Sequence, residues 1–411
     1  MFLLARLLRK LTRVGRLTVI DAAGGRHVFE GAPGPESTMR FHDRAAEWLL
    51  FANPRLYLGE LYMDGRITLG NGELYGFLDW AGQNLQRIEQ ERRHWRATPP
   101  WVGQFVRYLQ QYNPIVRARR NVAHHYDLSD TLYDLFLDSD RQYSCAYFAS
   151  DNDTLEAAQD NKKRHIAAKL LLEPGVRVLD IGSGWGGLGI YLAKVGAGEV
   201  VGVTLSEEQH KVSNERARKE GLAGRAQFFL RDYREQEGRF DRVVSVGMFE
   251  HVGVVHYDQF FAKLRDLLTD DGVALLHSIG RSDGPGVTNP WLRKYIFPGA
   301  YAPALSEVLP AVERAGLWVT DIEILRFHYA DTLREWRLRF ARHRDRIKAL
   351  YDERFCRMWE FYLAGCEMAF RYEAQMVFQM QLAKRVDTVP LSRDYINQWE
   401  MMNAGRGNLA V

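Results

Sequence analysis

Three stretches carry residue types at spacings that could do chemistry. The first is Val176–Gly187, VRVLDIGSGWGG, where a short apolar run breaks into glycines at 182, 184, 186 and 187. An apolar run with helical spacing follows at Leu188–Val195, so the pattern predicts a buried parallel strand, a tight turn and a helix start. Glycines there let a ligand approach the backbone, and a helix N-terminus offers unpaired N–H groups to a carboxylate or phosphate. Gly182-Ser-Gly184-Trp-Gly-Gly187 satisfies the spacing of a dinucleotide site, while Asp180 adds an acid inside the strand. The second stretch is Glu250-His251, just after a predicted strand, and the third is His277, at the end of the next. Both fall on the side where open α/β sheets bind ligands. A histidine at a strand end is commonly a satisfied core residue, and Glu250-His251 also suits a helix N-terminus.

The elements that must position these residues are legible from Asn121 onward. Strands are expected at Arg177–Ile181, Val200–Thr204, Ala226–Leu230, Asp241–Val246, Val273–Ser278 and Trp318–Leu325, with Met376–Ala383 as a seventh. Their alternation with helices implies a parallel, doubly wound α/β sheet. Two insertions interrupt it, Gly280–Pro303 and a helical block from Asp331 to about Arg371, and both are expected to roof the crevice with apolar surface. Ahead of this lies a small α+β unit, residues 1–95, with hairpin-like strands, an APGPES turn, a helix through Trp48–Leu50 and another over Glu73–Arg87. Residues 96–120 read as a linker rich in Arg and Trp, and 121–411 as the catalytic domain.

Length and composition are those of an ordinary globular protein: 411 residues, net charge +3. That charge implies no nucleic-acid surface. Aromatic residues crowd the last third, as a large core or as a pocket for an apolar substrate. Three cysteines, Cys145, Cys356 and Cys366, lack metal spacing, so no metal site and a reducing, cytoplasmic setting are expected. No stretch approaches the ~20 apolar residues of a membrane span. Leu3, Leu4, Leu7, Leu8, Leu11 and Val14 share a helical face interleaved with Arg6, Arg9, Lys10, Arg13 and Arg16. Such a helix either lies on an anionic bilayer or packs on its own domain.

Asp180-x-Gly-x-Gly resembles the first motif of Rossmann-like, class I S-adenosylmethionine-dependent methyltransferases. The resemblance narrows with Tyr143-Ser-Cys-Ala-Tyr147, Leu179–Gly187, Val243-Val-Ser-Val-Gly-Met-Phe-Glu-His251, Leu275-Leu-His-Ser-Ile-Gly280, Lys294-Tyr-Ile-Phe-Pro298 and Tyr362-Leu-Ala-Gly-Cys366. In this order the six blocks resemble cyclopropane fatty acid synthases, and Gly59-Glu-Leu-Tyr-Met-Asp-Gly65 resembles the extra domain of the bacterial members acting on phospholipids. The resemblance implies methyl transfer from adenosylmethionine to a cis double bond of an acyl chain, then ring closure after a proton is lost to a bound bicarbonate. It places the bicarbonate cradle on Cys145, Glu250, His277, Ile279 and Tyr329, with Cys145 and Ile279 contributing backbone groups. It implies cofactor contacts at Tyr143, Ser144, Asp180, Gly182, Ser183, Gly184 and Gly186. After the second strand come Thr204, Leu205, Ser206 and Gln209, with Thr204 or Gln209 on the ribose, and Asp232 and Tyr233 would flank the adenine.

Ser183 stands where the family commonly has cysteine, a change of similar size. Cys366 aligns with a cysteine labelled catalytic in the family; by itself it reads as helix packing, and the chemistry needs no thiolate. The implied setting is the inner face of the membrane, with a homodimer left open. A methyl-branched or methylene product without ring closure is the nearest alternative outcome, and a lipid-binding module with a dead nucleotide pocket is the alternative from another class.

Overall fold

The computed structural model describes residues 1–92 and 129–405; the expected linker, 96–120, and the expected start of the catalytic domain at Asn121 lie outside the described residues. The described chain falls into two compact units. One takes the N-terminal residues together with Thr288–Pro298 and Ala330–Gln375. The other takes the chain from 129 to Val287, Gly299–Tyr329 and the residues from Met376. The compact units therefore cut the chain differently from a single boundary near 95–120.

The first unit holds a sheet of order β2-β1-β3-β4, from β1 (Val14–Ile20), β2 (Arg26–Glu30), β3 (Ala32–Phe41) and β4 (Ile67–Leu69). β2 pairs with β1 antiparallel, as a hairpin should, but β3 lies parallel to β1. The APGPES segment is the first half of β3 rather than a turn. Its prolines are tolerated because β4 pairs only with Met39–Phe41, leaving that edge of β3 without a ladder to break. Leu17, Val19, Met39 and Phe41 from the sheet close a core with Trp80 of the helix Leu74–Arg92 and with Leu4 and Leu8 of α1 (Phe2–Leu11). α1 thus has two faces. Leu4 and Leu8 pack inward, while Phe2 (84 % exposed), Leu3 and Leu7 face solvent.

The Gly59–Gly65 motif ends the helix Pro54–Met63, and its side chains explain why distant segments join this unit. A Cβ at Gly59 would collide with the indole of Trp291, whose Nε1–H donates to Met63 Sδ at 3.3 Å. Glu60 accepts from Lys294 (2.6 Å) and from the Tyr295 hydroxyl (2.9 Å). Tyr62 donates to Glu360 (3.2 Å), and Arg354 donates to Asp64 (2.8 Å). Many of the late aromatics, Trp336, Trp359 and Tyr362 among them, are buried side chains of the helices in this unit.

The second unit is built on a sheet of order β10-β11-β9-β8-β5-β6-β7. The strands are β5 (Arg177–Ile181), β6 (Glu199–Thr204), β7 (Ala226–Leu230), β8 (Phe240–Val246), β9 (Leu268–Arg281), β10 (Trp318–Ile324) and β11 (Gln375–Ala383). All seven expected strands form, and the pairs among β5 to β9 are parallel, with β10 and β11 antiparallel. Strand order reverses between β5 and β8, the position at which open α/β sheets bind their ligands. Alternate residues feed opposite layers: Leu179 and Ile181 pack with the helices Tyr257–Leu267 and Leu305–Arg314, and Val178 packs with Gly187–Val195 and Leu155–Lys169. Asp180 shares the face of Val178. Among the described residues no helix is long and apolar enough to cross a membrane.

Candidate active site

At the carboxyl end of β5 the turn is made by Gly182, Gly184 and Gly186, with φ of 83°, 54° and 82°. The N–H groups of Gly182 and Ser183 both donate to Val203 O (2.9 and 3.0 Å), which ties the turn to β6. Gly187 opens the helix Gly187–Val195, and any side chain there would collide with Asp140 and Gln142. That glycine lets the segment 140–144 close over the turn. Asp140 is itself held by Lys163 (2.6 Å) and Arg216.

A cavity opens between these pieces. Of the residues expected to bind the cofactor, Tyr143, Ser144, Asp180, Gly182, Ser183, Gly184, Thr204, Leu205, Gln209, Asp232 and Tyr233 line it. Gly186 and Ser206 do not: Gly186 sits at the helix start, and Ser206 Oγ caps the helix Glu207–Lys219 by accepting from Gln209 N (3.3 Å). Thr204 Oγ1 and Gln209 Oε1 are joined at 2.9 Å, so the two ribose candidates act as one polar edge. Asp232 spends both oxygens on Arg234 (2.8 and 2.7 Å). Asp180 Oδ2 and Ser183 Oγ are buried without a partner among the described residues. Burial pushes the Asp180 carboxyl up to about 7, against the pull of the Lys162 charge. Arg141, Gln142, Trp185, Arg231, Met248, His251 and Val252 also line the cavity and are not among the expected cofactor contacts. Trp185, Met248 and His251 stand inside the quoted motifs, and the other four within two residues of a motif or an expected contact.

Glu250 and His251 lie in a single 3-10 turn, Phe249–His251, not at an α-helix start. Glu250 Oε1 accepts from the N–H of Ile279 at 2.6 Å, locking the turn after β8 to the end of β9. Its Oε2 is buried without a partner among the described residues. Burial drives its carboxyl up to about 7, opposed chiefly by the hydrogen bond from the Ile279 N–H. His277 is buried two residues before Ile279, and its Nδ1 meets Gln379 Nε2 at 3.2 Å. Burial, with the charges of Lys162, Lys169 and His165, takes its pKa down to about 3, so the ring is neutral. With Gln379 donating to Nδ1, the ring proton sits on Nε2.

Cys145 is buried, and its thiol donates to Ala146 O at 3.3 Å. Tyr329 is buried in the first turn of the helix His328–Arg342. That turn meets the 143–148 segment through His328, which stacks on Tyr147 (4.8 Å) and accepts from Phe148 N (3.1 Å). Glu250 and Ile279 are therefore joined directly, His277 lies two residues before Ile279 on the same strand, and Cys145 and Tyr329 lie on segments joined to each other. Cys366 belongs to the other compact unit, on the helix Glu353–Tyr372. Burial pushes its thiol up to about 12, far from a working nucleophile.

The seven-strand order, the glycine turn after β5 and the cavity at the reversal point define a class I methyltransferase that uses S-adenosylmethionine. Comparison with known proteins makes the assignment narrower. Residues 115–380 match the family described as mycolic acid cyclopropane synthetase, and the chain belongs to that family. It is 39 % identical over 332 residues to cyclopropane-fatty-acyl-phospholipid synthase of Escherichia coli, covering 81 % of this chain and 84 % of that one. A probable fatty acid methyltransferase of Pseudomonas putida is 41 % identical over 257 residues, covering 61 % of this chain and 65 % of the relative. The crystal structure of mycolic acid cyclopropane synthase CmaA1, complexed with SAH and CTAB, superposes with a TM-score of 0.61 at 33 % identity, over 66 % of this chain and 98 % of that one.

Proposed function

We propose that this methyltransferase converts cis double bonds in the acyl chains of membrane phospholipids to cyclopropanes. The observation that carries the reading is the Glu250–Ile279 lock: a buried carboxylate with one oxygen unpaired, after the strand whose end borders the cofactor cavity, tied to the strand that carries a neutral histidine. An alkene is a weak nucleophile, so the site must hold it against the methyl donor and exclude water. Adenosylmethionine supplies the electrophilic methyl group, and the cavity residues from Tyr143 to Tyr233 bind and orient it. Methyl addition at one alkene carbon leaves a cation at the other. Loss of a proton from the new methyl group frees the C–H electron pair to close the ring.

That proton needs an acceptor within hydrogen-bond reach. The residues fit a small anion bearing a hydroxyl, such as bicarbonate: Glu250 Oε2 is an open acceptor, and His277 Nε2–H and the Tyr329 hydroxyl are donors. Bicarbonate would supply the base. Glu250, when ionised, accepts a hydrogen bond from the anion's hydroxyl and so lowers the repulsion between two negative groups. Ile279 acts through Glu250, since its N–H is already given to Oε1. The same methylation ending in a methyl-branched or methylene chain is the second reading, favoured by the name of the Pseudomonas putida relative.

The exposed face of α1, with Arg6, Arg9 and Lys10 alongside Phe2, Leu3 and Leu7, supports peripheral attachment to the cytoplasmic face of an anionic membrane. The test is lipid profiling of a host that makes the protein or its Glu250→Gln variant, with the ring identified directly by NMR. Cyclopropane chains with the wild type alone support the proposal. A methyl-branched or methylene product shifts it to the second reading, and an unchanged lipid profile sinks both.

A further inference from the structure

One wall of the cavity, Gln142–Ser144, is gripped from behind by the helix Leu155–Lys169. Gln159 Nε2 donates to the carbonyls of Gln142 (3.2 Å) and Ser144 (3.0 Å). Lys162, three residues on and so on the same helical face, donates from Nζ to Gln142 Oε1 (2.7 Å) and Ser144 Oγ (2.8 Å). Both side chains are wholly buried.

Holding a loop does not require a charge. A buried ammonium whose bonded partners are two neutral oxygens is costly, and a neutral donor would grip the segment as well. Two carboxylates whose charge reaches Lys162 are already committed: Asp140 to Lys163 and Arg216, and Asp138 to the backbone N–H groups of Asp140 and Gln142. On the same face of the sheet, Asp180 presents a buried oxygen without a partner among the described residues. A buried cation behind one wall of the cavity and a buried acid lining it match a ligand that carries a carboxylate and an ammonium on the same carbon.

We propose that Lys162 is the positioning residue for the carboxylate at the amino-acid end of the methyl donor, acting through Ser144. Nζ occupies a lone pair of Ser144 Oγ, which turns the serine proton toward the cavity as a donor, while Asp180 takes the ammonium. The inference rests on the reading of this cavity as the methyl donor's site.

The experiment is calorimetric titration of the full chain with two probes. One is S-adenosylhomocysteine; the other is 5′-methylthioadenosine, the same nucleoside thioether without the amino-acid end. Lys162→Met keeps the stem and removes the charge. It is expected to weaken the first probe about 10- to 100-fold, the range for a hydrogen bond to a charged group, and to leave the second unchanged. Retained binding of methylthioadenosine also shows that the variant has folded. Ser144→Ala should reproduce most of the loss, and adding it to Lys162→Met should cost little more. Equal weakening of both probes would reduce Lys162 to loop packing and overturn the proposal, as would no weakening of either. A wild type that binds neither probe would instead overturn the cavity reading beneath it.

Discussion

Replacing Glu250 by glutamine separates the charge of this carboxylate from its place in the fold. An amide oxygen accepts the Ile279 N–H as well as Oε1 does, so the lock between β8 and β9 should survive. What changes is the proton. Burial raises the folded carboxyl to about 7, above its ordinary value of 4.5. A folded pKa above the unfolded one means that the folded state binds this proton more tightly. The stability contribution is therefore full below about pH 4.5, is lost as pH climbs to about 7, and is constant above that. At about 1.4 kcal/mol per pH unit the loss is roughly 3 kcal/mol, and glutamine, with no proton to release, escapes it.

Calorimetry should then find wild type and Glu250→Gln melting together at pH 4.5 and diverging as pH rises. At pH 8 the variant should melt roughly 3 to 4 °C higher, taking an unfolding entropy of about 2.1 cal/mol/K per residue. Turnover should move the other way and fall about 10²- to 10⁴-fold, the range for a lost acid–base group. Affinity for S-adenosylhomocysteine should hold, because Glu250 does not line the cofactor cavity. Identical melting at pH 8 would refute the cost assigned to the buried charge. Parallel loss of turnover and cofactor affinity would make Glu250 a structural residue.

Gln379→Glu should turn the carboxylate side chain into an acceptor for His277 Nδ1–H; nitrogen-15 spectra should show the tautomer or charge change, with turnover down about 100-fold, and an unaltered spectrum would contradict the tautomer assignment. Leu3→Ser with Leu7→Ser, both on the solvent face of α1, should leave melting unchanged and weaken binding to anionic vesicles about tenfold. Unchanged vesicle binding would leave α1 with packing alone. Cys366→Ser should keep turnover within about twofold of wild type, since a thiol held near 12 supplies no thiolate at neutral pH; a loss above about 100-fold would return Cys366 to the chemistry.

The sheet was legible because its strands are buried runs bounded by turn residues, and that signal does not depend on partners distant in sequence. APGPES misled for the converse reason: Pro and Gly mark turns, and only the short reach of β4 shows that the edge beside them is unpaired. The same limit applies to the site. Asp180, Glu250 and His277 announced themselves by type and by position after strands. Lys162 and Gln379 did not, because a lysine inside a helix and a glutamine inside a strand read as a solvated face and an ordinary core position. What gives them a role is pairing across 18 and 102 residues of chain, Lys162 with Ser144 and Gln379 with His277. The residues proposed for the chemistry are thus found by type and position, and those that hold them from behind are found only by contact. Glu250 bridges the two kinds. Its type and its place after a strand marked it as a candidate, but its burial, opposed by its lock on Ile279, gives it the folded-state pKa on which the glutamine substitution acts.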